Sequence, residues 1–359
     1  MAAPESKTLT ASCHCGNANF SLTIPKGDLP LKVHVCHCSI CRQTHGALCS
    51  FHSHVPSGVE PQFIAPSRLE KLTGYAHPYS ESTRYFCTNC GCHIGDRSHD
   101  DGDWYISVSV FDANANEGMW EIGSHAFTNS TRDSGMSELI PQIRGQMIKV
   151  WNPQESPASE ELPVVPASED DQLLAQCHCG GVSMTISRPH RDYLVGPAGR
   201  KWVHPSDMSK WLALVDVCRD CRLLTGTHAI AWILVPTDHI SPSLPEDLLI
   251  GSLKSYVSSE GTLGSFCGTC GATVFRRHTS QPGIVGIAMG LLRASEGVMA
   301  SDWACWRMTK LENSDEGMKY DEGFTKGLEK GLVDWRTRKY GNMQDLAVEL
   351  QDYELWCGH

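Results

Sequence analysis

Apolar and polar residues alternate with a period of two over several short stretches of this chain. Phe20, Leu22 and Ile24 are separated by polar neighbours, Val182, Met184 and Ile186 repeat the arrangement, and Trp104, Ile106, Val108 and Val110 extend it. Successive side chains of a strand point to opposite faces, so this spacing predicts half-buried strands. Glycine and proline punctuate the segments between them, which predicts short antiparallel strands joined by loops. Within this β pattern, residues 39–45 read as one turn of helix. After Arg307 the pattern changes. Leu328, Leu332, Trp335, Leu346, Leu350 and Trp356 are scattered through a charged tail from Glu316 to His359, which predicts one or two amphipathic helices packed on the rest. Cys357 and His359 are potential metal ligands at the end of this tail, although a frayed terminus is the plainer reading.

One cysteine pattern occurs twice within the strand pattern. The first copy is Cys13, Cys15 and Gly16, then Cys36, Cys38, Cys41 and Arg42, then Phe86, Cys87, Cys90 and Gly91; the second is Cys177, Cys179 and Gly180, then Cys218, Cys221 and Arg222, then Phe266, Cys267, Cys270 and Gly271. A Cys-x-x-Cys turn places two sulfurs on one tetrahedral zinc without strain, and Cys87/Cys90 and Cys267/Cys270 fit that role. The following glycine can turn backbone amides toward the thiolates and spread their charge. Cys13/Cys15 and Cys177/Cys179 would complete two four-sulfur sites.

Seventeen cysteines also raise the possibility of a disulfide framework. Three features oppose it. The count is odd, cysteines one residue apart bridge poorly, and a chain of 359 residues needs no cross-links to make up for a small core. The polar stretch at residues 1–7 has no signal-peptide character, so a reducing, cytoplasmic location is expected. A 41% hydrophobic content is ordinary for a globular protein, and no apolar run reaches membrane-spanning length. The formal net charge of -11 and the lack of clustered Lys and Arg argue against a nucleic-acid partner.

The repeat divides the chain. Residues 1–151 are expected to form a first zinc domain with the complete motif set, residues 152–172 an acidic, proline-rich linker, residues 173–310 a divergent second domain, and residues 311–359 a helical extension. Cys218 follows Cys38 by 180 positions and Cys267 follows Cys87 by the same 180, whereas Cys177 follows Cys13 by 164. The second half therefore carries sixteen extra residues between its first and middle motifs, placed within residues 191–210.

Three motifs in this order resemble the glutathione-dependent formaldehyde-activating enzyme family, also called the centromere protein V/GFA domain. They cover residues 12–111 and recur from 176 to 289, and the tandem arrangement, with His125 and Asp133 after the first set, is similar to fungal members. The resemblance implies an all-β-dominated fold of two tandem zinc-stapled β-tent domains. It also implies a structural zinc on Cys13, Cys15, Cys87 and Cys90, a matching one on Cys177, Cys179, Cys267 and Cys270, and a catalytic zinc on Cys36, Cys38 and Cys41. Three protein ligands there would leave the fourth position open to water or to a substrate sulfur or oxygen. The implied activity is that of a carbon–sulfur lyase which forms or cleaves an S-hydroxyalkyl or related adduct of glutathione or a similar thiol, with glutathione or its conjugate as partner. The other class of function is a noncatalytic zinc module that binds a protein. The Cys36/Cys38/Cys41 triad favours the enzyme, because a structural site would be expected to show a fourth ligand.

Supporting residues follow from position. Arg42 could pair with a substrate carboxylate or serve a structural ion pair, and His45 could shuttle a proton or bond the loop backbone. His14, His37 and His178 are expected to point outward from the motifs, and His125 could reach the site through the fold. In the second half Asp216 stands where the first has Cys36. Asp216, Cys218 and Cys221 could then be a variant zinc site, a vacant one, or one completed by His228 or Cys305, so the second half holds one or two zinc ions against two in the first. A degenerate, mainly structural second half is the favoured reading.

Overall fold

The computed structural model describes residues 5–78, 80–112, 117–153, 171–195, 202–203, 207–307 and 310–341. The alternation at Phe20, Leu22 and Ile24 becomes the strand Asn19–Pro25, with those three side chains buried and Thr23 exposed. It pairs antiparallel with Ser6–Ser12 from Ser6↔Pro25 to Ser12↔Asn19, and Gln62–Phe63 completes a small sheet. In the second half Met184 and Ile186 are buried in the strand Ser183–Ser187, which lies between Gln172–Gln176 and Ile240–Ser241. The third alternating stretch departs from expectation. Trp104–Ser107 is a strand, but Val108–Val110 closes into a 3-10 turn because the Ser107 hydroxyl accepts the Ser109 amide at 3.2 Å. All three turn residues are buried, so the alternation there recorded burial and not an extended backbone.

Each half has one large sheet. In the first the order is Lys149–Trp151, Trp120–Ala126, Leu31–Cys36, Ser50–His54, Trp104–Ser107, His93–Ser98, Ser82–Cys87 and Leu72–Tyr75. In the second it is Ala304–Trp306, Trp211–Asp216, Ile230–Pro236, Ile284–Ala288, Thr273–His278, Thr262–Cys267 and Leu253–Ser259. The two orders correspond strand by strand, with one added edge strand in the first. Antiparallel pairing was expected throughout, yet Trp120–Ala126 runs parallel to both neighbours and Trp211–Asp216 runs parallel to Ala304–Trp306. The chain reaches that edge after a long excursion through the rest of the sheet, which frees the last strand from the direction a hairpin would impose.

The halves meet through reciprocal contacts and share one continuous apolar core. The His14 amide bonds to Leu223 O and the His178 amide to Gln43 O, both at 3.3 Å, while the Phe86 and Phe266 rings meet edge to face at 6.5 Å. Gly46 and Gly226, both at positive φ, end equivalent helices at this contact. A Cβ on Gly46 would stand 2.1 Å from Thr273 O, and one on Gly226 would stand 2.1 Å from His93 O. Only glycine combines the left-handed turn with so close a backbone approach.

The tail forms the helices Ser314–Tyr320 and Glu322–Tyr340. Phe324, Leu328, Leu332 and Trp335 line the buried side of the second, and Asp321 at its start accepts the Trp120 indole N–H of the first half at 3.3 Å. Of the predicted insertion, residues 191–195 are helical. Most of the linker, residues 196–201 and 204–206 of the insertion, and Leu346, Leu350, Trp356, Cys357 and His359 lie outside the described residues. No helix among the described residues is long and apolar enough to cross a membrane.

Candidate metal centres

Folding brings Cys13, Cys15, Cys87 and Cys90 together at the junction of the small and large sheets, and Cys177, Cys179, Cys267 and Cys270 at the matching place in the second half. In each group the ligand atoms lie within 4.8 Å of one another. Cys13–Cys15 and Cys15–Cys87 sulfurs are 3.6 and 3.5 Å apart, and Cys177–Cys179 and Cys179–Cys267 sulfurs are both 3.5 Å apart. A tetrahedron of zinc–sulfur bonds of ~2.3 Å has edges of ~3.8 Å, whereas a disulfide is ~2.05 Å. The spacing therefore fits a tetrahedral cation and no disulfide forms. Charge makes the same point. Neighbouring thiols hold Cys15 and Cys267 well below the usual thiol range while pushing Cys90 and Cys270 far above it. Four thiolates can coexist there only around a positive charge.

The first half also assembles Cys36, Cys38 and Cys41, again within 4.8 Å. Cys36 ends the strand Leu31–Cys36, Cys38 caps the helix Ser39–His45, and the Cys38 sulfur accepts the Cys41 amide at 3.3 Å. No fourth Cys, His, Asp or Glu joins this group among the described residues. Hydrogen bonds from Cys36 and Cys38, with Arg84 and His52 nearby, hold the Cys41 thiol well below its ordinary range. Cys36 is driven up by sharing those bonds and by burial. Cys38 is drawn down by Cys36, but Cys41 and burial outweigh this and push it up to about 12.

The predicted supporting residues are mostly committed to backbone. Arg42 donates from Nε to His37 O and from Nη2 to Ser130 O, both at 2.9 Å, which ties the helix to the segment after His125. His45 Nδ1 lies 2.9 Å from Cys41 O, and its ring stacks on His93 at 4.1 Å. His37, expected to point outward, is fully buried. Its Nε2 lies 2.9 Å from His125 Nδ1, and His125 Nε2 lies 2.9 Å from Ile140 O. A carbonyl can only accept, so His125 donates to Ile140 and accepts from His37. His14 and His178 turn toward the opposite half, where their Nδ1 atoms meet the Tyr256 hydroxyl at 2.9 Å and the Tyr75 hydroxyl at 2.7 Å.

Residues not singled out in the sequence surround the trio. Ser50 lies directly opposite Cys36 across the sheet, His52 lies two positions farther on the same face, and the cross-strand pair Arg84↔Asp96 occupies the same face beyond them. All four are buried. Burial raises the Asp96 carboxyl, against the pull of Arg84 and His52, and burial lowers His93 to about 3. A further cluster, His190, Asp238 and His239, sits apart on the second half with its two rings stacked at 4.2 Å.

Asp216, Cys218 and Cys221 also converge within 4.8 Å, but a cation of the protein already stands among them. Arg276 Nη1 donates to Asp216 Oδ2 at 3.0 Å and to Cys221 Sγ at 2.8 Å, and reaches Cys218 Sγ at 3.6 Å. The other Asp216 oxygen accepts the Cys218 amide at 2.8 Å and the Asn313 side chain at 3.0 Å. Neither proposed fourth ligand joins them. His228 stacks on Phe51 at 4.4 Å and its Nδ1 lies 2.7 Å from the Ser109 hydroxyl, while Cys305 lies opposite Leu212 in an edge strand. The cavity left beside Arg276, lined by Trp232, Thr262, Ser265 and Thr273, has a volume of about 20 Å³, room for roughly one water.

Comparison with known proteins agrees with this architecture. The family model described as glutathione-dependent formaldehyde-activating enzyme matches residues 8–130 and 206–307, more than half of the chain and both cysteine-bearing halves. A crystal structure of a Rhodobacter sphaeroides protein, a structural-genomics target, aligns with 37% of this chain and 99% of its own at 15% identity and a TM-score of 0.24, too low a likeness to transfer anything from. No curated protein matches. With the repeated cysteine framework, the β-sheet halves and the family match in agreement, the chain belongs to the glutathione-dependent formaldehyde-activating enzyme family.

Proposed function

We propose that this protein is a zinc-dependent carbon–sulfur lyase that forms or cleaves an S-hydroxyalkyl adduct of glutathione or a similar thiol, with its chemistry confined to Cys36, Cys38 and Cys41. The observation that carries this reading is a three-thiol group, with Cys38 and Cys41 buried and Cys36 half-buried, that has no fourth donor of its own among the described residues, beside two four-thiol groups that need none. A zinc ion seated on the three thiols would supply a Lewis acid that favours the ionised form of one further sulfur or oxygen. The protein's own part is positional. Strand end and helix start fix the three sulfurs, the Cys41 amide bonds Cys38, and half-buried Cys36 leaves one side of the group open to a ligand. The two four-thiol groups serve as structural zinc sites that staple the loops of each half. In the second half, Asp216, Cys218 and Cys221 bind Arg276 in place of a metal, so this half works as a scaffold. Its proposed span is residues 173–310, against 1–151 for the working half.

The test is a zinc-replete assay with glutathione, a panel of aldehydes and a panel of glutathione conjugates, read by mass spectrometry. Turnover of a thiol adduct that disappears in a folded Cys38→Ala variant supports the reading. A variant that unfolds reclassifies the trio as structural, and a folded variant that keeps full turnover removes the trio from the chemistry.

A further inference from the structure

The polar residues facing the three thiols leave several buried hydrogen-bonding atoms unpartnered, although Arg84 Nη1 donates to Ser80 Oγ at 3.4 Å. His52 Nε2, Asp96 Oδ1, Arg84 Nε and Ser50 Oγ are all buried without a hydrogen-bond partner. The nearest approach of Arg84 Nε to Asp96 Oδ2 is 3.7 Å, longer than a hydrogen bond. An unsatisfied buried polar group costs stability, so four together on one sheet face call for an explanation.

The second half supplies a control within the same chain. The offset of 180 that relates Cys38 to Cys218 and Cys87 to Cys267 maps Ser50 to Ile230, His52 to Trp232, Arg84 to Gly264 and Asp96 to Arg276. That half builds the same sheet order from these different residues. The polar set is therefore not needed to make the fold. It is present where the three-thiol group is present and missing where Asp216 replaces the first thiol. The charges also limit the ligand: Arg84 and Asp96 largely offset each other, so the face suits a neutral oxygen, a hydroxyl or carbonyl, and not a carboxylate.

We propose that His52, supported by Ser50 and the Arg84–Asp96 pair, receives the substrate's hydroxyl or carbonyl oxygen beside the Cys36/Cys38/Cys41 group, which makes His52 a catalytic residue and Arg84 and Asp96 positioning residues. The proposal rests on the lyase reading above. In the forming direction the thiol sulfur attacks the aldehyde carbon, a C–S bond forms, the carbonyl π pair moves to oxygen, and the proton lost by the thiol ends on that oxygen. In cleavage the hydroxyl proton leaves, the carbonyl re-forms, and the C–S pair returns to sulfur, which regains a proton. No further reactant is consumed. His52 holds the oxygen through its Nε2 in both directions.

The experiment uses the zinc-loaded full chain and two readouts. Calorimetric titration compares S-ethylglutathione with S-(2-hydroxyethyl)glutathione; the hydroxyl is expected to tighten binding about tenfold in the wild type, and His52→Trp, which installs the second half's residue, is expected to abolish the difference while the S-ethyl affinity stays put. In turnover, His52→Trp is expected to lower kcat by roughly 100-fold or more, of the order of a lost acid–base or oxygen-binding group, with KM for glutathione and metal content unchanged. His52→Gln, which keeps a donor near the same place, should recover the hydroxyl preference in part. Asp96→Asn and Arg84→Lys should change kcat more than KM. Equal wild-type affinity for the two ligands, or His52 variants with wild-type kcat while Cys38→Ala is dead, overturns this proposal alone. A folded Cys38→Ala with full turnover overturns both.

Discussion

The Cys36/Cys38/Cys41 group and the Asp216/Cys218/Cys221 group are built on the same strand, turn and helix, yet opposite conditions surround them. Cys38 and Cys218 cap equivalent helices with the same sulfur-to-amide bond, and Gly46 and Gly226 end those helices against the other half in the same way. Both groups have unpartnered buried polar atoms nearby, but in the second the Arg276 guanidinium bonds Asp216 and Cys221 directly, whereas in the first Arg84 Nε stays 3.7 Å from Asp96. A single substitution of thiol by carboxylate does not by itself close a metal site, since aspartate binds zinc. In the proposed reading it is Arg276, at the position of Asp96, that closes the second centre, because a guanidinium placed among the carboxylate and two sulfurs provides the positive charge that a metal would bring. A duplicated domain can thus keep its staple and its partner surface while its second centre becomes an internal ion pair.

The contrast between staples and open centre gives the largest expected effect. Cys87→Ser and Cys267→Ser should each lose one metal ion and the cooperative unfolding of the chain, visible by circular dichroism and differential scanning fluorimetry, because a structural zinc site contributes on the order of 10 kcal/mol of binding energy to folding. Survival of a native melt in either variant would place that four-thiol group outside the stapling role. Next comes the comparison of the two trios. Cys38→Ala should abolish turnover and remove one ion, whereas Cys218→Ala should change neither by more than about twofold; an activity loss on Cys218→Ala would mean that the second centre takes part in chemistry.

A smaller effect tests the internal cation. Arg276→Met leaves Asp216 buried with Asn313 and the Cys218 amide but no counter-charge, and should lower stability by about 3–5 kcal/mol in chemical denaturation. Adding Asp216→Cys to that variant should restore stability in the presence of zinc and raise the metal count by one. Failure of the double variant to take up an extra ion would show that more than the guanidinium closes the site.

The smallest effect is in acid. Burial, foremost, lowers the pKa of His37, His45 and His93, the last to about 3, so each is neutral in the folded protein. An unfolded histidine titrates near 6.5, so below that pH and down to about 3 the unfolded chain binds more protons and stability falls with falling pH. The melting midpoint of the zinc-saturated protein should drop between pH 7 and pH 5. His93→Thr, which copies Thr273, should shallow that slope; an unchanged slope would remove His93 as a source of the acid sensitivity.

The sequence carried much of this structure in readable form. Strict alternation at Phe20, Leu22 and Ile24 became a strand because one face meets the core, and the cysteine repeat located the three-dimensional sulfur groups because short Cys-x-Cys and Cys-x-x-Cys spacings are local. The rest depends on contacts between distant residues. Val108 and Val110 alternate like a strand, but the Ser107 hydroxyl bends them into a turn. Parallel pairing of Trp120–Ala126 is a property of the sheet order and not of any local pattern. Arg276, His52 and Asp96 lie in strands buried on both faces, and neither they nor Arg84 carry a motif to mark them. The signal that could have found them is the constant offset of 180, read for places where one half is polar and the other apolar or oppositely charged.

The central claim, one open metal centre in the first half and none in the second, is tested most directly by counting ions in the intact zinc-replete chain by native mass spectrometry, alongside Cys38→Ala. Three zinc ions per wild-type chain and two in the variant are predicted. Four ions in the wild type, one of them lost in Cys218→Ala, would place a metal where Arg276 stands, and two in the wild type, or three in the variant, would remove the open centre altogether.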